Sequence, residues 1–198
     1  MHNIVDYEED INDAIYTFNN ISSTDELQSL TLEFLKGKII ATNYHFGPLH
    51  QESKKIINEL IKMNELGFIT TCSQPGNKKQ RGYVCGMINK YDYTKFEKRM
   101  YEICNNVFIR HTNDNKLIKT LSKIKTYPEW YWITIDDNKN ITHVNNSSKS
   151  FEFFMETDIY SNLINNYYEI EIIDIEWDRE NYIHTKIVVA LEIDNTND

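Results

Sequence analysis

Glycine, proline and cysteine are all scarce in this chain of 198 residues, which has six, three and three of them. So little glycine and proline excludes collagen-like and low-complexity chains, in which these residues make up about a quarter or more of the sequence. A hydrophobic share of 40% and 13 tyrosines argue against intrinsic disorder, because such a chain has enough apolar surface to form a core. A folded globular chain is therefore expected.

Long hydrophobic runs are also missing. No apolar stretch approaches the roughly 20 residues that span a bilayer, so we expect no membrane association. No hydrophobic signal segment opens the chain, and the three cysteines are odd in number without a zinc-binding spacing. We therefore predict reduced thiols, no metal site and a cytoplasmic location. The sequence leaves any cofactor unknown.

The length suits one domain. Alternating helical and strand-like segments predict a single α/β or α+β domain over residues 23–194, with a mixed central sheet flanked by helices. An N-terminal arm with a short helix (1–22) and a disordered tail (195–198) complete the prediction. Helices are predicted at 23–37, 51–66, 93–104, 117–124 and 157–164, and strands at 68–72, 83–88, 107–111, 130–135, 141–144 and 170–175. Residues 182–193 fit either a strand by composition or a helix by the spacing of their apolar residues.

Charge is unevenly distributed along the chain, whose net charge is −9. Residues 151–198 hold 12 acids and 2 bases, so they account for −10 of it. Such acidity repels phosphate backbones and argues against general nucleic-acid binding. Residues 66–91 are the opposite, because they contain no acid and four bases, Lys78, Lys79, Arg81 and Lys90. This window is where an anion would be favoured.

A polar turn lies inside that basic window. We predict a ligand site at Ser73, Gln74, Gly76 and Arg81, because the two side chains can donate, glycine permits close backbone approach, and arginine binds carboxylate or phosphate in a two-pronged way. The alternative is a solvated hairpin turn whose polar residues satisfy its own backbone. The spacing is not that of a P-loop.

Two residues are candidates for proton transfer. His45 lies in a Gly-Pro loop that we expect to line a pocket beside Ser73, because the helix between them ends where the strand begins. Asp174 lies near the end of a strand, where open sheets bind ligands. Strand alternation places Glu169 and Glu171 outward, on a solvated face. Further functional candidates are Cys72 as a nucleophile, His50 as a metal ligand, and Trp130, Tyr131 and Trp132 as a stacking surface. Each of these residues also has an ordinary structural explanation.

The run from Gly67 to Gly76, Gly-Phe-Ile-Thr-Thr-Cys-Ser-Gln-Pro-Gly, resembles an uncharacterised domain family of actinobacterial and giant-virus proteins. The resemblance extends to the segment Asp174–Arg179 and covers most of residues 29–192. Asp178 stands where the family pattern has glycine. The resemblance implies a closing helix over residues 182–193 and implies no activity. The many Ile, Asn, Lys and Tyr codons are typical of an AT-rich genome.

Two functions from different classes remain open. The first is binding of a small anionic or nucleotide-like ligand at the Ser-Gln-Pro-Gly turn, with or without catalysis. The second is a non-enzymatic, virus-encoded interaction protein whose acidic C-terminal region docks a basic protein partner.

Overall fold

A computed structural model describes residues 4–104, 106–111, 133–135, 141–144 and 150–192. The described residues form an α+β domain. Its helices are α1 (Ile4–Asn19), α2 (Thr24–Leu35), α3 (Ile57–Glu65), α4 (Lys90–Ile103), α5 (Tyr160–Asn166) and α6 (Tyr182–Glu192). Its strands are β1 (Ile69–Gln74), β2 (Arg81–Asn89), β3 (Val107–His111), β4 (Ile133–Ile135), β5 (Ile141–Val144) and β6 (Tyr167–Trp177). None of the described helices is long and apolar enough to cross a membrane.

Four strands form the main sheet in the order β1-β2-β6-β3, and every neighbouring pair is antiparallel. The α+β alternative is therefore confirmed, whereas the mixed sheet is wrong for this set of strands. The sheet is antiparallel because of where β6, the last of these strands in chain order, is inserted. Strands β2 and β3, which α4 connects, run in the same direction, but β6 lies between them and pairs antiparallel with both. Strands β4 and β5 form a separate two-stranded antiparallel sheet.

One face of the sheet packs against α3, α4 and α6. The larger core cluster lies on this face, and the central strands contribute four side chains to it: Val84, Ile88, Ile170 and Ile172. Helix α6 contributes buried residues four and three positions apart, which are Ile183, Ile187 and Ala190. This helical spacing settles the ambiguous C-terminal segment as a helix.

The opposite face carries a second core cluster, made by α1, α2, α5 and the strands. Phe18 and Ile21, from the predicted N-terminal arm, belong to this cluster and are fully buried. Ile172 and Ile173 are both buried as well, on opposite faces of β6. Two isoleucines in succession are therefore accommodated here because both faces of this central strand are buried.

Some predicted helices differ locally. Ser23 caps α2 and accepts a hydrogen bond from the Glu26 N–H at 3.2 Å. The predicted helix over 51–66 is instead a 3-10 turn, Gln51–Lys55, followed by α3. The break falls at Ile56, whose side chain is fully buried in the core. Predictions at 117–124, 130–132 and 195–198 lie outside the described residues.

Candidate functional site

The tip of the β1–β2 hairpin packs against the chain segment that follows β6. The N–H of Gly76 donates to the Glu180 carbonyl at 3.1 Å, and the N–H of Asp178 donates to the Asn77 carbonyl at 3.2 Å. A Cβ atom on Gly76 would lie 2.5 Å from the Arg179 carbonyl oxygen. Glycine is therefore required here because the protein's own backbone makes the close approach.

Asp178 adopts a φ of 62°, in the left-handed region. This conformation suits glycine and is tolerated by aspartate and asparagine. The position is the one at which the resemblance predicts glycine. The departure from that pattern is thus compatible with the same backbone turn.

Two further predicted site residues lie within the hairpin. The Gln74 side-chain amide donates to the Arg81 carbonyl at 3.2 Å. Arg81 is only 6% exposed, and burial lowers the pKa of its guanidinium while the nearby Asp174 carboxylate opposes that shift. Gln74 and Arg81 are therefore engaged inside the protein, and their role as ligand contacts stays a prediction.

Asp174 is completely buried in an ion pair. Both of its carboxylate oxygens accept hydrogen bonds from Arg179, whose Nε lies 2.9 Å from Oδ2. The Glu176 N–H also donates to Oδ1, at 3.0 Å. The Arg179 guanidinium lies over the Tyr182 ring, 3.7 Å from its centroid. This arrangement fixes the start of α6 against the sheet, and a catalytic role for Asp174 stays a prediction.

A cavity of about 200 Å³ lies beside strand β1 of the hairpin, between α2, the segment 42–50, α3 and β1. Ser73, His45 and His50 all line it, so the predicted adjacency of this loop and Ser73 is confirmed. The hydroxyl groups of its lining residues belong to Thr31, Tyr44, Ser53, Thr70, Thr71 and Ser73. Its apolar lining comes from Phe34, Leu35, Leu49 and Leu60.

Both histidines of the cavity are oriented by local hydrogen bonds. His45 Nε2 lies 3.3 Å from the Pro48 carbonyl, which can only accept, so neutral His45 carries its proton on Nε2. The His45 ring also packs against Phe34, with 5.3 Å between centroids. His50 Nδ1 accepts from the Glu52 N–H at 3.4 Å, so neutral His50 carries its proton on Nε2. In their neutral forms the two rings therefore differ, because His45 keeps Nδ1 as an acceptor and His50 keeps Nε2 as a donor.

Buried polar side chains that the sequence analysis missed hold the cavity wall. Asn64 donates to the Leu60 carbonyl at 2.8 Å and to the Thr70 hydroxyl at 2.7 Å, and its oxygen accepts from the Thr70 N–H at 3.1 Å. The Tyr44 hydroxyl lies 3.2 Å from that of Thr31 and donates to the Thr70 carbonyl at 3.4 Å. Burial raises the pKa of Tyr44 to about 12, so it remains a neutral donor. These bonds join residues far apart in sequence, which no local pattern reveals.

The prediction that Glu169 and Glu171 lie on a solvated face is wrong, because they are only 2% and 4% exposed. Their strand is central and the sheet is covered on both sides, so outward alternation does not lead to solvent. Arg110 on β3 donates to Glu171 at 2.7 Å. Burial raises the pKa of Glu171, and the Arg110 charge opposes the shift.

The three cysteines differ in their exposure to solvent. All three are free thiols, with Cys85 and Cys104 buried and Cys72 exposed. Within the part of the chain that the structure describes, no three His, Cys, Asp or Glu side chains are grouped so that they could hold a metal ion.

The sequence profile of a domain of unknown function, DUF6919, matches residues 15–194. The match includes the hairpin, the cavity and the segment that closes over the hairpin tip. A comparison with curated proteins gives no match.

Proposed function

The chain belongs to the DUF6919 family, whose function is unknown, and we therefore propose a function from its site alone: it binds a small polar or anionic molecule in the cavity beside Ser73. The observation that carries this proposal is the convergence of hydroxyl groups and two oriented imidazoles around a partly apolar cavity. A concave, largely apolar site with a few fixed polar groups is the usual form of a small-molecule pocket.

The size of the cavity limits the ligand. Its volume of about 200 Å³ is below the roughly 300–1,000 Å³ of pockets that hold drug-sized ligands. A small metabolite fits this volume better than a whole nucleotide. The carboxylate, phosphate or hydroxyl groups of this metabolite would bond to Ser73, His45 and His50. The apolar part of the metabolite would contact Phe34 and Leu60.

The four predicted site residues then divide into two roles. Ser73 is the proposed direct contact, because it lines the cavity. Gln74, Gly76 and Arg81 hold the hairpin that carries Ser73, through the hydrogen bond, close packing and burial described above. For catalysis, His45 is the candidate among the residues that line the cavity, because Nδ1 of its neutral ring can accept a proton.

A thermal-shift panel of small carboxylates, phosphorylated metabolites and nucleotides tests the proposal. A ligand at a hundredfold excess over its Kd stabilises the folded state by about 2.7 kcal/mol, which is easily seen. We expect a small-metabolite hit whose shift is lost in Ser73→Ala and in His45→Gln. Lys79→Gln, an exposed change at the hairpin tip, is the matched control and should retain the shift.

Two results would contradict the proposal. One is a panel without any hit. The other is a shift that survives both cavity variants but disappears in Lys79→Gln, since that would place the ligand at the tip. Calorimetric titration of each folded variant separates lost binding from lost stability.

A second candidate function is docking of a basic protein partner, and the structure narrows where it would occur. Glu169 and Glu171 are buried, so they are unsuitable as docking residues. The segment 152–158 is better suited, because the exposed acids Glu156 and Asp158 lie beside Met155, which is 56% exposed. Charge complementarity with a basic surface would drive this association.

Neutralising those two acids tests the second candidate. Glu156→Gln with Asp158→Asn should abolish capture of a basic partner, and moderate salt should have the same effect. Glu192→Gln, an exposed change at the end of α6, is the control. Capture that survives both the double change and salt would remove this candidate.

A further inference from the structure

Two of the three cysteines lie directly opposite each other on neighbouring strands. Cys72 on β1 and Cys85 on β2 are paired in the antiparallel register. Directly opposed residues in such a ladder have Cα atoms about 4.5–5.5 Å apart, and disulfides join Cα atoms about 4.4–6.8 Å apart. The register therefore brings the pair into the general range of backbone spacing that a disulfide requires, directly after the ladder irregularity between Thr70 and Cys72.

The two thiols have different access to solvent. Cys72 is exposed on the edge strand, and its Sγ lies 3.3 Å from the Tyr83 hydroxyl. Cys85 is only 5% exposed, on the central side of the same pair. Burial raises the pKa of Cys85, and the Glu171 carboxylate and the Cys72 thiol add to that shift, which agrees with their proximity. An oxidant in solution thus reaches Cys72 first, with Cys85 next to it.

We propose that Cys72 and Cys85 are a redox pair that closes to an intramolecular disulfide when the protein meets a hydroperoxide. The Cys72 thiolate attacks hydrogen peroxide and the O–O bond breaks; the leaving hydroxide takes up the proton that the thiol released, so that a sulfenic acid and water form. The sulfur of Cys85 then attacks the Cys72 sulfur, and the Cys85 proton leaves with the hydroxyl group as a second water. Two thiols are oxidised and one hydroperoxide is reduced; a dithiol reductant reverses the change.

The third cysteine does not belong to this pair. Cys104 is buried at the end of α4, where its Sγ donates to the Tyr182 hydroxyl at 3.6 Å. The pair thus accounts for two thiols of an odd set. Because Cys72 precedes Ser73, the disulfide would tie the cavity wall to β2. The inference rests on the strand register and is independent of the proposed ligand.

Hydrogen peroxide treatment of the full chain, followed by intact mass and thiol titration under denaturing conditions, tests the pair. We expect the mass to fall by two hydrogen atoms and the thiol count to fall from three to one, with both restored by dithiothreitol. Peptide mapping should find Cys72 linked to Cys85. The Cys104→Ala variant should behave in the same way, with its thiol count falling from two to none.

Single variants test each cysteine of the pair separately. In Cys85→Ala, Cys72 should gain oxygen or link two chains into a dimer. In Cys72→Ser, the mass and the thiol count should stay unchanged after peroxide treatment. The proposal is overturned if the wild-type chain gains oxygen at Cys72 without linking to Cys85. A linkage that involves Cys104, or dimers as the main wild-type product, overturns it equally.

Discussion

The tip of the β1–β2 hairpin and its first strand are built in opposite ways. At the tip, Gly76 and Asn77 bond to the backbone of residues 178–180, and nothing larger than glycine fits at position 76. Along β1, residues 70–73 border an open cavity together with side chains from two helices and a loop. The contrast shows that the Pro-Gly turn is needed to pack the hairpin tip against residues 178–180. The cavity, in contrast, is lined by serine, threonine, tyrosine and histidine side chains that no sequence motif marks.

The largest expected effect comes from Asp174, which anchors the segment that closes over the tip. Asp174→Asn leaves the Arg179 and Arg81 guanidiniums without their buried carboxylate, and breaking a buried ion pair costs about 3–5 kcal/mol. Asp178→Asn, an exposed change in the same segment that tolerates the positive φ, should cost less than about 0.5 kcal/mol. Urea unfolding measures both. Equal losses would refute the anchoring role of Asp174.

Gly76 should show the next largest effect. Gly76→Ala places a Cβ atom against the Arg179 carbonyl, and such overpacking costs about 2–3 kcal/mol. Gly37→Ala is the matched control, because it meets open space but has a φ of 71°, which costs about 1 kcal/mol. Chemical denaturation should rank Gly76→Ala as the more damaging change. The reverse ranking would mean that the tip is not closely packed.

Acid should weaken the helix beneath the hairpin. Burial lowers the pKa of His184 on α6 to about 4, an effect that the Tyr83 backbone partly opposes, while an unfolded histidine titrates near 6.5. Between these values the unfolded chain binds more protons, so stability falls as the pH falls, by about 2 kcal/mol from pH 8 to pH 5. His184→Leu removes this contribution. Unfolding curves at both pH values should show the smaller loss in the variant; identical losses would exclude His184 as the source.

The smallest effect is expected at the exposed lysines of the tip. Lys78→Gln and Lys79→Gln should each change the free energy of unfolding by less than about 0.5 kcal/mol. They should also leave the affinity of any cavity ligand unchanged, as calorimetric titration would show. A tenfold loss of affinity in either variant would move the site from the cavity beside β1 to the tip of the hairpin.

Local patterns predicted the elements well where packing agrees with them. Strand β3 has the bounds that its sequence suggested, and the helix predicted from residue 23 is capped by Ser23. Residues 182–193, which fitted either a strand or a helix, form the helix that the spacing of Ile183 and Ile187 allowed. These features depend on neighbouring residues alone, so the sequence contains them directly.

Long-range packing explains what sequence reasoning missed. The insertion of β6 between β2 and β3 made the sheet antiparallel and buried Glu169 opposite Met87 and Glu171 between Cys85 and Arg110. The sequence indicated the cavity only through His45 in a loop and through a helix that ends where the next strand begins. The bonds of Asn64 to Thr70, and of Tyr44 to Thr31, appear only when distant segments meet.

Amide chemical shifts of the isotopically labelled chain, recorded during titration with small carboxylates and phosphorylated metabolites, test the central claim most directly. We predict saturable shifts that are largest at Tyr44, His45 and residues 70–73, around the cavity. Shifts confined to residues 76–82, or none with any compound, would contradict it.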